Sequence, residues 1–306
     1  MVDLGWKTIV VRYGELALKS HRVRRRFEET LIRNIGYALN KKNLVHSIRK
    51  EWGRIYVYGS QIREITRVLT KIFGVVSVSP AFEVEANVDV IGEVVVSVLK
   101  SFFHVRQGKS FALRVSRTGK HVFTSRDLAV KVGDIVRKEL GLAVDLDKPD
   151  AEVFVEVRGE KAFVYIEKVK GPGGLPAGTQ GKVAALIRSK RDVLAAWFIL
   201  RRGCSVVALV SEGREMVESL VDGWFLWQHV RVVEEGFDEK FFEPFLNGFV
   251  KKYNCDAVVV GDTFEEFRNN VKKGLSLEFS VEVPVLRPLL VFDENEVERR
   301  IKVLRL

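Results

Sequence analysis

Two small α+β units followed by a doubly wound α/β domain make up the fold class this sequence predicts. Through residue 170, strand-like alternation is interleaved with apolar stripes of helical period. Beyond the chain's one Gly/Pro-rich stretch, Gly171–Gly178, the strands become short continuous apolar runs that alternate with helices. Such runs are typical of buried parallel strands. Charge separates the same halves. Residues 1–60 carry 13 Lys and Arg against 5 Asp and Glu, residues 61–170 carry 18 against 15, and residues 171–306 carry 19 against 20. The whole positive excess therefore sits in the first 170 residues, at +11 against −1 for the rest. That imbalance suits a polyanion, because each phosphate met by Lys or Arg releases condensed counterions. A plain solvated basic surface is the alternative.

The elements follow in order. Lys7–Arg12 reads as a strand through Ile9, Val10 and Val11. Val23, Phe27, Leu31, Ile35 and Leu39 recur every four residues and predict a helix over 22–39. Arg22, Arg25, Arg26 and Arg33 fall off that stripe, so the opposite face is basic, although Arg25, Glu29 and Arg33 are also spaced to pair along the surface. Gly53–Tyr58 alternates as a half-buried strand, residues 61–72 read as a second helix, and Val75–Val78 as a strand. This β-α-β-α-β order predicts a ferredoxin-like unit over residues 1–80.

A second α+β unit is expected over 81–169. Its helices are Val88–Lys100 and Ser125–Leu140, the latter with Ser125 as cap, Asp127 in its first turn and Gly141 as its stop. Its strands are Ser110–Val115, Glu152–Val157 and Ala162–Glu167, the last two joined by a hairpin turn at Arg158–Lys161. Residues 170–181 form a linker. From 182 to 306, strands Val183–Ile187, Val206–Val210 and Ala257–Val260 alternate with helices Asp192–Arg202, Arg214–Gln228 and Lys240–Tyr253, a doubly wound pattern.

No apolar run reaches the ~20 residues that span a bilayer, and Met1–Val10 lacks a leader pattern, so a cytoplasmic chain without a membrane partner is expected. Cys204 and Cys255 make neither a disulfide framework nor a zinc site, and the five histidines have no metal spacing.

Three stretches resemble the 4-thiouridine tRNA sulfurtransferase family. Arg12-Tyr-Gly-Glu-Leu-Ala-Leu-Lys19 is similar to its N-terminal motif. Phe111–Ser125, with Val144–Asp150 downstream, resembles its THUMP domain. Leu175–Lys182, followed by Leu200–Gly203, Val260-Gly261-Asp262 and Leu286–Leu289, resembles its ATP-pyrophosphatase domain. The resemblance implies tRNA as partner. It also gives the fold as ferredoxin-like and THUMP domains followed by an ATP-pyrophosphatase-like α/β domain. Arg114, in the outward register of its strand, then becomes an RNA-binding candidate. Arg117, Lys120 and His121 in the following loop, and Ser125 at the helix start, join it, as do Arg22, Arg25 and Arg26. The bland alternatives are a capping serine and solvated arginines.

One departure redirects the expected chemistry. Where the family carries a Ser-Gly-Gly-x-Asp-Ser phosphate loop, this chain has Arg188-Ser189-Lys190-Arg191-Asp192-Val193, and only Asp192 matches. Such a loop needs glycines so that backbone N–H groups can close on pyrophosphate. Lys190 and Arg191 are bulky, and Val193 has no hydroxyl. Gly261 reads either as a remnant of the nucleotide pocket or as an ordinary strand-end turn. The resemblance further implies a sulfur-carrying cysteine beyond Leu286–Leu289, a position that neither Cys204 nor Cys255 matches. The expectation is a catalytically inactive tRNA-binding relative acting in tRNA modification, with no cofactor and no ATP binding. Two alternatives stay open: an ATP-dependent sulfurtransferase-type enzyme completed by a partner chain, and a scaffold presenting tRNA to a separate modifying enzyme. A symmetric homodimer is compatible with either. The cluster Trp224, Phe225 and Trp227 reads as helix core or dimer contact.

Overall fold

The structure, a computed structural model, describes residues 5–14, 20–105, 108–211, 213–235, 242–269 and 271–305. Residues 15–19 of the N-terminal motif lie outside them. By packing, the chain divides into two compact units. The first comprises Met1–Arg12, Leu39–Thr70 and Ser77–Lys170, and the second Tyr13–Ala38, Lys71–Val76 and Gly171–Leu306.

The N-terminal elements are β1 (Thr8–Tyr13), α1 (His21–Lys41), β2 (Ser47–Glu51), β3 (Arg54–Tyr58), α2 (Ile62–Leu69) and β4 (Val75–Glu85). The observed order is thus β-α-β-β-α-β, one strand more than the sequence predicts. β2 escapes the periodicity because Ser47-Ile-Arg-Lys-Glu51 holds one apolar residue and buries none; antiparallel pairing with β3 creates it. In α1 the expected stripe is buried at Phe27, Leu31, Ile35 and Leu39.

Next come α3 (Val88–Val105), β5 (Ser110–Thr118), α4 (Ser125–Leu140), β6 (Ala143–Val144), β7 (Ala151–Arg158), β8 (Lys161–Tyr165) and β9 (Val169–Lys170). Described strands pair in the order β2-β3-β1-β4-β8-β7-β5-β6, with β9 beside β4. β5 and β7 run parallel, which requires a crossover, and α4 supplies it. Here the cap differs from expectation. Thr124, not Ser125, is the N-cap, with Thr124 and Asp127 forming a reciprocal capping box, and Ser125 is the first helical residue. The Thr-x-x-Asp spacing carried that signal. Gly141 ends the helix in a left-handed conformation, as expected.

The second unit contains β10 (Lys182–Ile187), α5 (Lys190–Arg201), β11 (Ser205–Val210), α6 (Arg214–Gly223), β12 (Val230–Val233), α7 (Phe242–Tyr253), β13 (Ala257–Val259), α8 (Phe264–Asn269), α9 (Val271–Ser280), β14 (Val285–Leu286) and α10 (Glu294–Leu304). The strands form a parallel sheet in the order β12-β11-β10-β13-β14, so the topological switch lies between β10 and β13. Alternate residues of β10 face opposite layers. Val183, Ala185 and Ile187 pack with Leu194, Val217 and Val297, while Ala184 and Leu186 pack with Leu246 and Phe249. α6 stops five residues before the expected Gln228, because Phe225 takes a positive φ of 56° and turns the chain toward β12. Trp224 is core, stacked on Phe73 at 5.4 Å and edge-on to Trp197 at 5.2 Å.

The Gly/Pro-rich stretch is tied into this unit. Gly173 exchanges backbone hydrogen bonds with Gly74 and Val75, both at 2.8 Å, and Leu175 N–H donates to Arg201 at 2.9 Å. Asn34 of α1 donates to the Ala177 carbonyl at 3.0 Å and pairs with His229 at 3.0 Å.

Candidate functional site

The first unit carries an open cleft of about 600 Å³. β5 lines it with Leu113–Ser116, the start of α4 with Ser125, Arg126 and Ala129, and the β7–β8 side with Phe154, Tyr165 and Lys168. Its floor follows from hairpin register: a turn at Arg158–Lys161 pairs Phe154 with Tyr165, whose rings stack at 5.3 Å. The Lys168 ammonium lies 3.7 Å over the Phe154 ring and the Arg12 guanidinium 4.8 Å over Tyr165. Partial burial and nearby Arg12 hold the Lys168 ammonium below its usual range. Arg114 is held to Glu152 at 2.8 Å and to the Leu146 carbonyl at 2.7 Å. Cations beside an aromatic platform and hydroxyls match the chemistry of a nucleic-acid strand, which offers phosphates and π-faces together.

Along the same face of β7 as Phe154 lies a charge cluster. Glu156 is 4% exposed and meets Arg12 at 3.2 Å, Arg54 at 2.7 Å and Arg158 at 2.8 Å. Burial opposes its ionisation, but Arg54 and Arg12, with Arg158, outweigh burial and hold the carboxyl below the usual carboxylate range. Three guanidiniums on one carboxylate leave this part of the unit electropositive.

Of the loop candidates, Arg117 reaches the Gly119 carbonyl at 3.4 Å, His121 stacks on Phe123 and bonds the Gly159 carbonyl at 2.8 Å, and Lys120 is exposed. Arg22, Arg25 and Arg26 belong to the second unit. Arg25 pairs with Glu29 at 2.9 Å, Arg26 reaches the Thr179 carbonyl at 3.3 Å, and Arg22 is exposed. The structure therefore gathers Arg114 and Ser125 into one cleft of the first unit, and the α1 arginines belong to the second.

The second unit's switch point is bordered by charged side chains that pair with one another. Asp192, 3% exposed, accepts the N–H of Arg188 at 3.0 Å, that of Gly261 at 2.8 Å and the Ser189 hydroxyl at 3.1 Å. A carboxylate thus sits at the N-terminus of α5, where the helix dipole favours an anion. Arg188 spans Asp192 at 3.0 Å and Asp262 at 3.4 Å. Arg191 spans Glu266 at 2.7 Å and Glu294 at 2.6 Å. Arg287 joins Asp262 at 3.0 Å and also pairs with Glu278. Lys190 is exposed. Gly261 lies so close to this loop that an added Cβ would sit 2.6 Å from the backbone of Arg191 and of Asp192.

Residues 8–79 match the ThiI ferredoxin-like domain and residues 85–167 the THUMP domain. A probable tRNA sulfurtransferase of Methanobrevibacter smithii is 32% identical over 97% of this chain and 86% of its own length. This chain belongs to the tRNA sulfurtransferase family. A crystal structure of a Pyrococcus horikoshii protein, 26% identical, matches with a TM-score of 0.82 over 98% of this chain and all of that one. A 4-thiouridine synthetase–RNA complex with bound ATP, 24% identical, shares the fold at a TM-score of 0.76 over 98% of this chain and 85% of that one.

For a member of the tRNA sulfurtransferase family, the two thiols are in an unreactive setting. Burial and nearby Asp256 push the Cys204 thiol up, and burial likewise raises that of Cys255, whereas a reactive cysteine needs a depressed value. Among the described residues no cluster of His, Cys, Asp and Glu could hold a metal ion, and no helix is long and apolar enough to cross a membrane. Sequence reading missed Arg126, Lys168, Phe154 and Tyr165 in the cleft. Counting the hairpin register back from Arg158–Lys161 would have found the Phe154–Tyr165 pair.

Proposed function

We propose that this chain is a tRNA-binding member of its family that does not cleave ATP. Its THUMP cleft grips a tRNA strand, and its α/β domain serves as a closed structural partner in tRNA modification. The observation that carries the inactive half of this reading is the Asp192–Gly261 hydrogen bond at 2.8 Å. It draws the two strand-end loops of the switch point together, where open α/β sheets otherwise receive ligands. The surrounding arginines are neutralised by Asp262, Glu266, Glu278 and Glu294, so a triphosphate would meet carboxylates as well as cations. The RNA half rests on the cleft, on the THUMP match and on the segregated charge.

Two measurements test it. Filter retention of tRNA across a salt series is expected to give tight, salt-dependent binding that weakens in Arg117→Ala/Lys120→Ala and ignores ATP. Thermal unfolding at millimolar ATP is expected to show no shift. A rise of several degrees with ATP would return the chain to the ATP-dependent enzymes.

A second reading, a scaffold that presents tRNA to a separate modifying enzyme, is favoured by Phe264 and Phe279 on α8 and α9, which are 54% and 86% exposed. Enhanced modification of tRNA by a purified modifying enzyme in the presence of this chain, lost in Phe279→Ser, would support it.

A further inference from the structure

The β2–β3 hairpin turns at Trp52-Gly53, and the Trp52 side chain is 71% exposed there. Its backbone is held firmly. Arg158 Nη1 donates to the Trp52 carbonyl at 2.9 Å, while Arg158 Nε is anchored on buried Glu156 at 2.8 Å. Arg54 Nη1 donates to the Gly53 carbonyl at 2.7 Å. The neighbouring Gly159 donates to the Thr118 carbonyl at 3.4 Å and accepts from His121 at 2.8 Å. The β7–β8 turn therefore joins two loop tips of the first unit, the Trp52 hairpin and the Gly119–Phe123 loop, into one edge. Lys50 and Lys120 are exposed along it.

An indole 71% exposed on a pinned backbone, at an edge where Lys50 and Lys120 are also exposed, has the make-up of a stacking platform. Nucleobases present π-faces whatever their sequence, and the phosphates alongside them need Lys or Arg. A protein partner would ordinarily ask for a wider apolar surface around such a ring.

We propose that Trp52 is a base-stacking finger: its indole takes an unpaired nucleobase of the bound RNA, and Lys50 and Lys120 meet the flanking phosphates. This is a contact beyond the cleft, and it rests on the RNA-binding reading above.

Tryptophan fluorescence of the full chain tests it: Trp6, Trp197 and Trp224 are nearly inaccessible, at 4%, 5% and 6% exposure, Trp227 is half-buried, and the Trp52→Ala chain gives the background of these four. Titration with a tRNA transcript is expected to quench the wild-type signal. Trp52→Ala is expected to abolish most of that quench and weaken binding about tenfold, while Trp52→Phe, which still stacks, stays within about twofold. The salt slope should be unchanged in both, since no charge is removed. Equal binding by Trp52→Ala and wild type would overturn the stacking contact while leaving tRNA binding intact. Equal loss on a blunt RNA duplex without unpaired bases would also overturn it. Failure of the wild-type chain to bind any RNA would remove the RNA-binding reading and this proposal together.

Discussion

Asp192 accepts the backbone N–H of Gly261 at 2.8 Å, joining two loops 69 positions apart at the ends of the adjacent parallel strands β10 and β13. The same carboxylate holds the N–H of Arg188, so one buried side chain organises the mouth of the sheet. In Asp192→Ala two backbone donors and the Ser189 hydroxyl lose their acceptor, and the Arg188 guanidinium keeps only Asp262. A loss of about 3 kcal/mol is expected on removing one side of such a buried, hydrogen-bonded charge. Urea unfolding measures it, and a change below about 0.5 kcal/mol, the ordinary surface range, would mean the carboxylate is dispensable.

Gly261→Ala probes the same closure by volume. Its Cβ would press against the Arg191–Asp192 backbone, which cannot rotate away as a flexible side chain would. Overpacking of this kind costs about 2 kcal/mol. Melting of the variant well below wild type is the expected result, and an unchanged midpoint would show that the loop can yield.

His229 links stability to pH. Burial, with Arg33 nearby, pushes its imidazole down to about 4, from the ordinary 6.5. Between those values the unfolded chain binds the extra proton and the folded chain does not. The contribution is therefore complete above about pH 6.5 and is lost as pH falls toward 4. Wild type should lose about 2 kcal/mol more than His229→Gln across that window, a figure discounted for partial solvent exposure. Parallel stability curves for the two proteins would contradict this.

Glu156 acts at lower pH. Its carboxyl is held below the ordinary range by three arginines, so its stabilisation is present above about pH 4.5 and is lost as pH falls through the depressed folded value. Glu156→Gln should lose about 3 kcal/mol at neutral pH, because the guanidiniums keep their charge and lose their partner. It should also show a shallower acid limb than wild type. Equilibrium unfolding at pH 7 and pH 3 reads both effects.

Cleft residues separate phosphate contact from stacking. Lys168→Ala and Arg126→Ala should each reduce the slope of log affinity against log salt by about one. Phe154→Ala should weaken tRNA binding about tenfold and leave that slope alone. If all three variants bind as wild type does, the cleft is not where RNA is held.

Local pattern carried much of this protein in its sequence. The four-residue stripe of α1, the span of α4 with its Gly141 stop, the Arg158–Lys161 hairpin and the short apolar runs of β10, β11 and β13 depend on residues within a few positions of one another. The loss of glycines from the Arg188–Val193 run was equally plain, because the requirement for glycine is itself local. Other features had no local signal. β2 exists through its pairing with β3, not through an apolar alternation of its own, and β12, Val230-Arg-Val-Val233, is too short to stand out by periodicity. The Phe154–Tyr165 pair could be counted from its hairpin, but the Lys168 that covers it lay past the end of β8. Tertiary structure alone decided that Asp192 faces Gly261 and that Arg188, Arg191 and Arg287 each find two carboxylates. Hydrophobic period specifies which face of an element turns inward. Strand order and long-range packing choose which distant loop that element meets, and an ion pair forms only after that choice is made.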